Sequence, residues 1–208
     1  ITKAFVTVFA ENKTRAYGAA NPALSYGITG FANGQNLATS GITGSASLTP
    51  TANTTSNAGN YDITATTGSL TAKNYDFVMA KGTLTIGKAM LSVRADNKTR
   101  KYGAPNPTFT ASYNGFVNGQ TISTIGLTGT PVLTTTANAQ STVGAYPISV
   151  STGTMSAQNY DFTGQSGSLD VTKATLTVKA DDKSRAYGVV NPDFTASYSG
   201  FVNGETLA

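Results

Sequence analysis

Three groups of side chains along this chain have the make-up of a small polar binding site: Arg15, Tyr17 and Asn21; Arg100, Tyr102 and Asn106; and Arg185, Tyr187 and Asn191. A tyrosine ring can stack on the apolar face of a sugar, while a guanidinium and a carboxamide supply hydrogen bonds, so each group is a candidate ligand-binding site. Each lies in one copy of a recurring segment, ENKTRAYGAANP, DNKTRKYGAPNP or DDKSRAYGVVNP. The same residues suit a structural task equally well. Gly103 permits a bend at positive φ, Asn106-Pro107 returns the chain to an extended path, and Tyr102 can cover the end of a core while its hydroxyl finds a backbone partner. Lys98 and Arg100 alternate with Thr99 and are expected to point outward together. Duplication copies loops of either kind, so repetition does not choose between a ligand site and a cap on one pole of a domain.

Other chemistry is scarce. With no Cys and no His, thiolate and imidazole ligands and Cys–His or Ser–His–Asp nucleophiles are excluded. Asp62, Asp76 and Asp161 are the carboxylates that could pair for glycoside hydrolysis, but the counterpart of Asp62 is Pro147, and no enzyme is expected. Asp181-Asp182 could contribute to a calcium clip between extracellular β-domains, yet no Asp-x-Asp-x-Asp loop exists, and no metal or cofactor is expected. The net charge of +4 is scattered without a basic stripe, which argues against nucleic acid. No apolar run reaches the roughly 20 residues of a membrane-spanning helix. Asn12, Asn53 and Asn97 match a glycosylation acceptor pattern, as chance allows in a chain this rich in Asn and Thr. The start at Ile1 carries no signal peptide, and the chain is expected to be a piece of a longer one.

The spacing of these residues sets the organisation. Tyr17, Tyr102 and Tyr187 are 85 residues apart, as are Pro22, Pro107 and Pro192, and Phe31, Phe116 and Phe201. The chain therefore divides into residues 1–87, 88–172 and 173–208, two full repeats and the first part of a third. Within a repeat the hydrophobic period is two: Leu91, Val93 and Ala95 share one face, as do Phe109, Ala111 and Tyr113, and Tyr146, Ile148 and Val150. Asn114-Gly115 and Asn118-Gly119 mark turns, and Pro131 implies an edge strand or a bend. Low charge with abundant Thr and β-branched residues fits half-buried strands. The fold class is all-β, with six to eight strands per repeat. Gly-x-Tyr at 59–61 and 144–146 stands either for the tyrosine corner of an immunoglobulin-like sandwich or for a core tyrosine opening a strand.

Only Gly87-Lys88-Ala89-Met90 separates Ile86 from Leu91, too few residues for a flexible linker. Tandem Ig-like sandwiches stacked end to end as a rod, each about 35–45 Å long, are the expected architecture. A partial third repeat leaves an inner face and strand edges uncovered, so residues 173–208 are either held by another copy of the chain or belong to a longer array. Phe5 and Phe9 fall on the outward face, where the next copy has Met90 and Arg94; they mark a contact surface or ordinary drift.

Lys98, Arg100, Tyr102, Gly103, Asn106, Pro107, Gly115, Phe116 and Gly119, with their counterparts in the other copies, resemble the MBG repeat of the YGX type, and the resemblance covers the whole chain. It implies Ig-like modules of very large bacterial surface or secreted adhesins, some similar to filamentous-haemagglutinin-like exoproteins, and it carries no catalytic residues. The expected function is a non-catalytic stalk segment of an extracellular, cell-surface adhesin serving adhesion or biofilm formation. Its partners are neighbouring repeats of the same chain. The alternatives are weak glycan or polysaccharide binding by each repeat, additive through multivalency, or self-association through the partial third repeat.

Overall fold

A computed structural model describes residues 1–207. All sixteen regular elements among them are β-strands. They fall into two compact units that cut across the sequence repeats. One comprises Ile1–Leu91 with Asn114–Gly129 and Met155–Phe162; the other comprises Ser92–Tyr113, Thr130–Thr154 and the residues from Thr163 on.

In the first unit the alternating run at the start forms β1 (Ala4–Ala10), followed by β2 (Lys13–Ala16), β3 (Tyr26–Thr29), β4 (Ser47–Pro50), β5 (Gly59–Thr66), β6 (Tyr75–Ala80) and β7 (Gly82–Gly87). They make two sheets, ordered β3-β1-β6 and β2-β7-β5-β4. The inward faces carry Val6, Val8 and Ala10 from the first sheet and Ile63, Ala65, Leu84 and Ile86 from the second, all buried. Removing each large aliphatic side chain from water stabilises the sandwich by roughly 1.5–3 kcal/mol before conformational entropy is charged against it.

Two segments change sheets side by side. β1 pairs in parallel with β6, Phe9 opposite Ala80, and β2 pairs in parallel with β7, Lys13 opposite Leu84. The offset between partners is 71 in both cases (80 − 9 and 84 − 13), so one register is held across the corner. Ladder bonding lapses where the segments cross, and there the Thr83 amide donates instead to Asn12 Oδ1 at 2.8 Å. The second copy repeats the device, the Ser168 amide donating to Asn97 Oδ1 at 2.9 Å. Two of the three glycosylation-like asparagines therefore close a strand corner.

The second copy carries the same seven strands: β8 (Ala89–Ala95), β9 (Lys98–Lys101), β10 (Ala111–Asn114), β11 (Val132–Thr134), β12 (Gly144–Ser151), β13 (Tyr160–Gln165) and β14 (Gly167–Thr172). Their sheet orders, β10-β8-β13 and β11-β12-β14-β9, match those of the first copy. β11 lies at a sheet edge, as Pro131 implies. Pro147 falls in β12 beyond the residues that β11 pairs, which end at Ser149, so its missing N–H breaks no bond to that neighbour. In the second unit Ala95, Ala137, Ile148 and Leu169 form the core, surrounded by Phe109, Leu133, Tyr146 and Val150. The Tyr61 hydroxyl donates to Asn57 O and the Tyr146 hydroxyl to Thr142 O, each at 2.9 Å and four residues upstream, which is tyrosine-corner geometry. Phe9 lies over Gly27 of the adjacent strand, where any side chain would collide with its ring, whereas Phe5 stays exposed.

The third copy contributes a hairpin, β15 (Thr177–Ala180) with β16 (Ala196–Ser199). Leu176 and Val178 are 51% and 60% exposed, while their counterparts Leu91 and Val93 are fully buried. Strands matching β4 to β7 do not follow within the described residues, so this inner face has no opposing sheet.

An acidic residue ends the first strand of each copy and ties it to the hairpin partner. Glu11 accepts from the Ser25 hydroxyl at 2.5 Å, Asp96 from Thr110 and Ser112 at 2.5 and 2.7 Å, and Asp181 from Thr195 at 2.5 Å. These hydroxyl bonds hold all three carboxyls below their ordinary values, Ser25 contributing most at Glu11 and Thr110 and Thr195 at the two aspartates. A depressed folded-state value means the contribution is complete above the unfolded-state value and is lost as pH falls through the folded one. Acid titration of stability should therefore show a weakened limb near and below the usual carboxylate range, and Asp96→Asn should flatten it. Asn97→Ala should lower stability by about 1 kcal/mol in denaturant melts, because the Ser168 amide loses its acceptor.

Candidate functional site at the tyrosine loop

The loop is built from its backbone outward. At the end of β2 the Tyr17 amide donates to Gly87 O at 2.8 Å, and at the end of β9 the Tyr102 amide donates to Thr172 O at 2.8 Å. Gly87 and Thr172 are the last residues of their copies, so each tyrosine is fixed where the chain leaves one repeat for the next.

The arginine and asparagine of each group turn toward one another. Arg15 Nε donates to Asn21 Oδ1 at 2.8 Å, its Nη2 to Asn53 O at 2.5 Å, and Asn21 Nδ2 to Ala52 O at 2.8 Å. Arg100 Nε donates to Asn106 Oδ1 at 2.8 Å, its Nη2 to Asn138 O, and Asn106 Nδ2 to Ala137 O at 2.7 Å. Arg100 is 7% exposed, which corrects the expectation that it points outward with Lys98. The chain crosses between sheets at Asp96-Asn97, and these two residues shift the alternation so that 98 and 100 face inward. Among the described residues no carboxylate pairs with this buried guanidinium; carbonyl and carboxamide oxygens stabilise its charge instead. Arg185 also reaches Asn191 Oδ1, at 2.6 Å, but takes Val189 O as its other main acceptor. In the first two copies the arginine and asparagine proposed for ligand contact are thus bonded to each other and to carbonyls of the same repeat.

The three tyrosines differ sharply. Tyr17 is 5% exposed and meets Tyr160 edge-on, with ring centroids 5.7 Å apart at 78°. Tyr102 is half-buried, and its hydroxyl donates to Glu205 Oε1 at 2.7 Å. Tyr187, against which nothing packs among the described residues, is fully exposed. What distinguishes them is the next copy. Residues Phe116 to Gly119 and Asn159-Tyr160 receive the first loop, and the turn around Val202 receives the second. Gly18, at φ 80°, lies so close to Val117 that a Cβ would come within 2.6 Å of it, and Gly103, at φ 81°, stands in the same relation to Val202 at 2.5 Å. Gly188 holds the same conformation with nothing near it.

A second contact completes the first joint. Asn159 is 8% exposed, accepts from the Ala58 amide at 2.9 Å and donates to Asn57 Oδ1 at 2.9 Å. Asn118 and Asn203, both at φ 54°, direct Nδ2 toward Thr54 O at 3.5 Å and Ala139 O at 3.1 Å. The receiving pole is braced by Tyr160, whose oxygen accepts from the Val117 amide at 3.1 Å and whose hydroxyl donates to Gln120 Oε1 at 2.7 Å. Sequence reading left the tyrosine as a ligand site or a cap on one pole of a domain and missed this receptor, although Gly-Phe-x-Asn-Gly and NYDF recur with the same period as the loop.

The candidate carboxylates are dispersed. Asp62 pairs with Lys81 at 2.6 Å, Asp76 with Lys3 at 3.5 Å and Asp161 with Lys88 at 3.6 Å, all as exposed ion pairs. Among the described residues no three acidic side chains cluster as a metal site would require.

The model of the MBG domain (YGX type) matches residues 6–85, 91–170 and 176–208. The chain belongs to the MBG family. No curated protein matches it closely enough to count as a relative. MBG domains in tandem mark the repeat region of surface proteins, chiefly bacterial, and MBG is not a known enzyme family. In this MBG array the Tyr-Gly pair meets the Phe-Val-Asn-Gly turn of the following repeat, so two sequence hallmarks are the two halves of one joint.

The tyrosine series should be graded by environment. Tyr17→Ala should cost about 3–4 kcal/mol, as for a buried aromatic, and Tyr102→Ala about 1–2 kcal/mol. Tyr187→Ala should stay within about 0.5 kcal/mol of the native chain in the same denaturant measurements.

Proposed function

We propose that this chain is a non-catalytic spacer, a stalk segment of a bacterial cell-surface adhesin that holds a binding region away from the surface. The carrying observation is the joint: Tyr17, the one candidate site residue buried against the following repeat, is fixed beside the exit of its own repeat and packs on Tyr160. A spacer must transmit position, and position is transmitted when successive repeats cannot pivot freely. The short connection supports this, because only Lys88 lies between β7 and β8. So does the bonding of Arg100 and Asn106 to oxygens of their own repeat, which leaves no converging set of free donors for a glycan at that loop. Extracellular placement, adhesion and spacing form one reading: a Thr-rich chain of low charge and self-contained joints make length without chemistry.

Residual dipolar couplings test the stiffness directly. In the native chain, amides of residues 4–87 and 89–172 should fit one alignment tensor, and in Tyr17→Ala the two sets should diverge. Two tensors already present in the native chain would defeat the spacer reading. Saturable binding on a glycan panel that disappears in Tyr187→Ala would replace it with a glycan-binding one.

A further inference from the structure

In the first copy the segment β1-β2, by which the chain enters, and the segment β6-β7, by which it leaves, lie side by side and run the same way. β1 pairs with β6 at six parallel positions, from Ala4 opposite Tyr75 to Phe9 opposite Ala80. β2 pairs with β7 at four, from Lys13 opposite Leu84 to Ala16 opposite Gly87. This ladder opens with the Ala4 amide on Asn74 O at 3.0 Å and closes with the Tyr17 amide on Gly87 O at 2.8 Å. At the corner between, the bond from the Thr83 amide to Asn12 Oδ1 bridges the lapse. The second copy has the same opening, bridging and closing bonds. The Ala89 amide donates to Asn159 O at 2.9 Å, the Ser168 amide to Asn97 Oδ1 at 2.9 Å and the Tyr102 amide to Thr172 O at 2.8 Å.

We propose that each full repeat is a load-bearing element, in which tension along the chain is carried in shear by this parallel ladder. Tension draws β1 back past its start at Ala4 and β7 onward past its end at Gly87. Those two points lie at opposite ends of the ladder, so the segments are drawn past each other and all their pairs resist together. Had the two segments been antiparallel neighbours, the same pull would act at one end and open the pairs singly. Val6, Val8, Leu84 and Ile86 bury the inner side of both strand pairs, which keeps water from replacing the bonds as they stretch. β3 and β4 lie at the outer edges of their sheets, outside the loaded path. From β7 the load passes through Lys88 into β8, the first strand of the next ladder.

This deepens the spacer reading and rests on it for the direction of the load, since a stalk is stretched when its tip is held. The ladder lies within one repeat, whereas alignment tensors report on the joint between two. Freely pivoting joints would therefore defeat the spacer reading and leave the force measurement unmoved.

Single-molecule stretching of the full chain tests the ladder, with paired cysteines as handles in a sequence that has none of its own. Thr2→Cys with Gly87→Cys loads the ladder in shear; Gly87 is exposed, and an added Cβ there meets nothing nearer than Arg15 O at 3.9 Å. Thr2→Cys with Lys73→Cys instead pulls β1 and β6 apart from their common end. At one pulling rate the first pair of handles should need a several-fold higher rupture force than the second. Forced unfolding follows the unfolding barrier and not the equilibrium stability, so two variants of similar melting cost should separate. Asn12→Ala, which removes the corner bond, should lower the shear rupture force. Tyr61→Phe, which removes the bond to Asn57 O away from the ladder, should leave it at the native value. Equal rupture forces in the two pulling directions overturn the proposal, as does a loss of force in Tyr61→Phe as large as that in Asn12→Ala.

Discussion

The clamp between Arg100 and Asn106, and its equivalent between Arg15 and Asn21, is the interaction on which the rest depends. A buried guanidinium without a carboxylate is costly unless every donor finds an oxygen, and here the oxygens belong to the loop and to the segment around Ala52-Asn53 or Ala137-Asn138. This ties the loop to a distant part of the same repeat. Only a loop held that firmly can present Tyr17 and Gly18 to the next repeat at a defined place.

The sheet corner serves the same end. Because β1-β2 and β6-β7 change sheets together in one parallel register, the first and last strands of a repeat leave it side by side. The tyrosine amide then bonds the terminal residue of its own repeat, and the donor half of the joint lies at the exit. The acceptor half is made of the turn after β3 or β10 and the entry of β6 or β13, braced by Tyr75 or Tyr160. Division of the chain into compact units that each contain one joint follows directly: Tyr17 groups with Tyr160 in one unit, and Tyr102 with Glu205 in the other.

Much of this was legible in the sequence. The 85-residue period and the all-β class follow from spacing and alternation alone, and residue type made Pro131 an edge or a bend and the loop tyrosine a candidate cap on one pole. Two things were not legible, for identifiable reasons. Asp96-Asn97 looks like the end of one strand and the start of a loop, so the parity shift that turns Arg100 inward is invisible to a simple period-two count. The receptor for Tyr17 lies 143 residues away at Tyr160 (160 − 17), and no local pattern links them. Phe9 over Gly27 is a smaller case of the same kind, a cross-strand complement that alternation shows only as an exposed aromatic.

The central claim is that the tyrosine loop acts by packing on the following repeat. A double-mutant cycle between Tyr17 and Tyr160 tests it most directly, using Tyr17→Ala, Tyr160→Ala and the double variant in equilibrium unfolding. Edge-to-face packing in a buried joint predicts a coupling of about 0.5–1.5 kcal/mol. Effects that simply add, within about 0.3 kcal/mol, would contradict the account and leave the loop as a cap on its own repeat only.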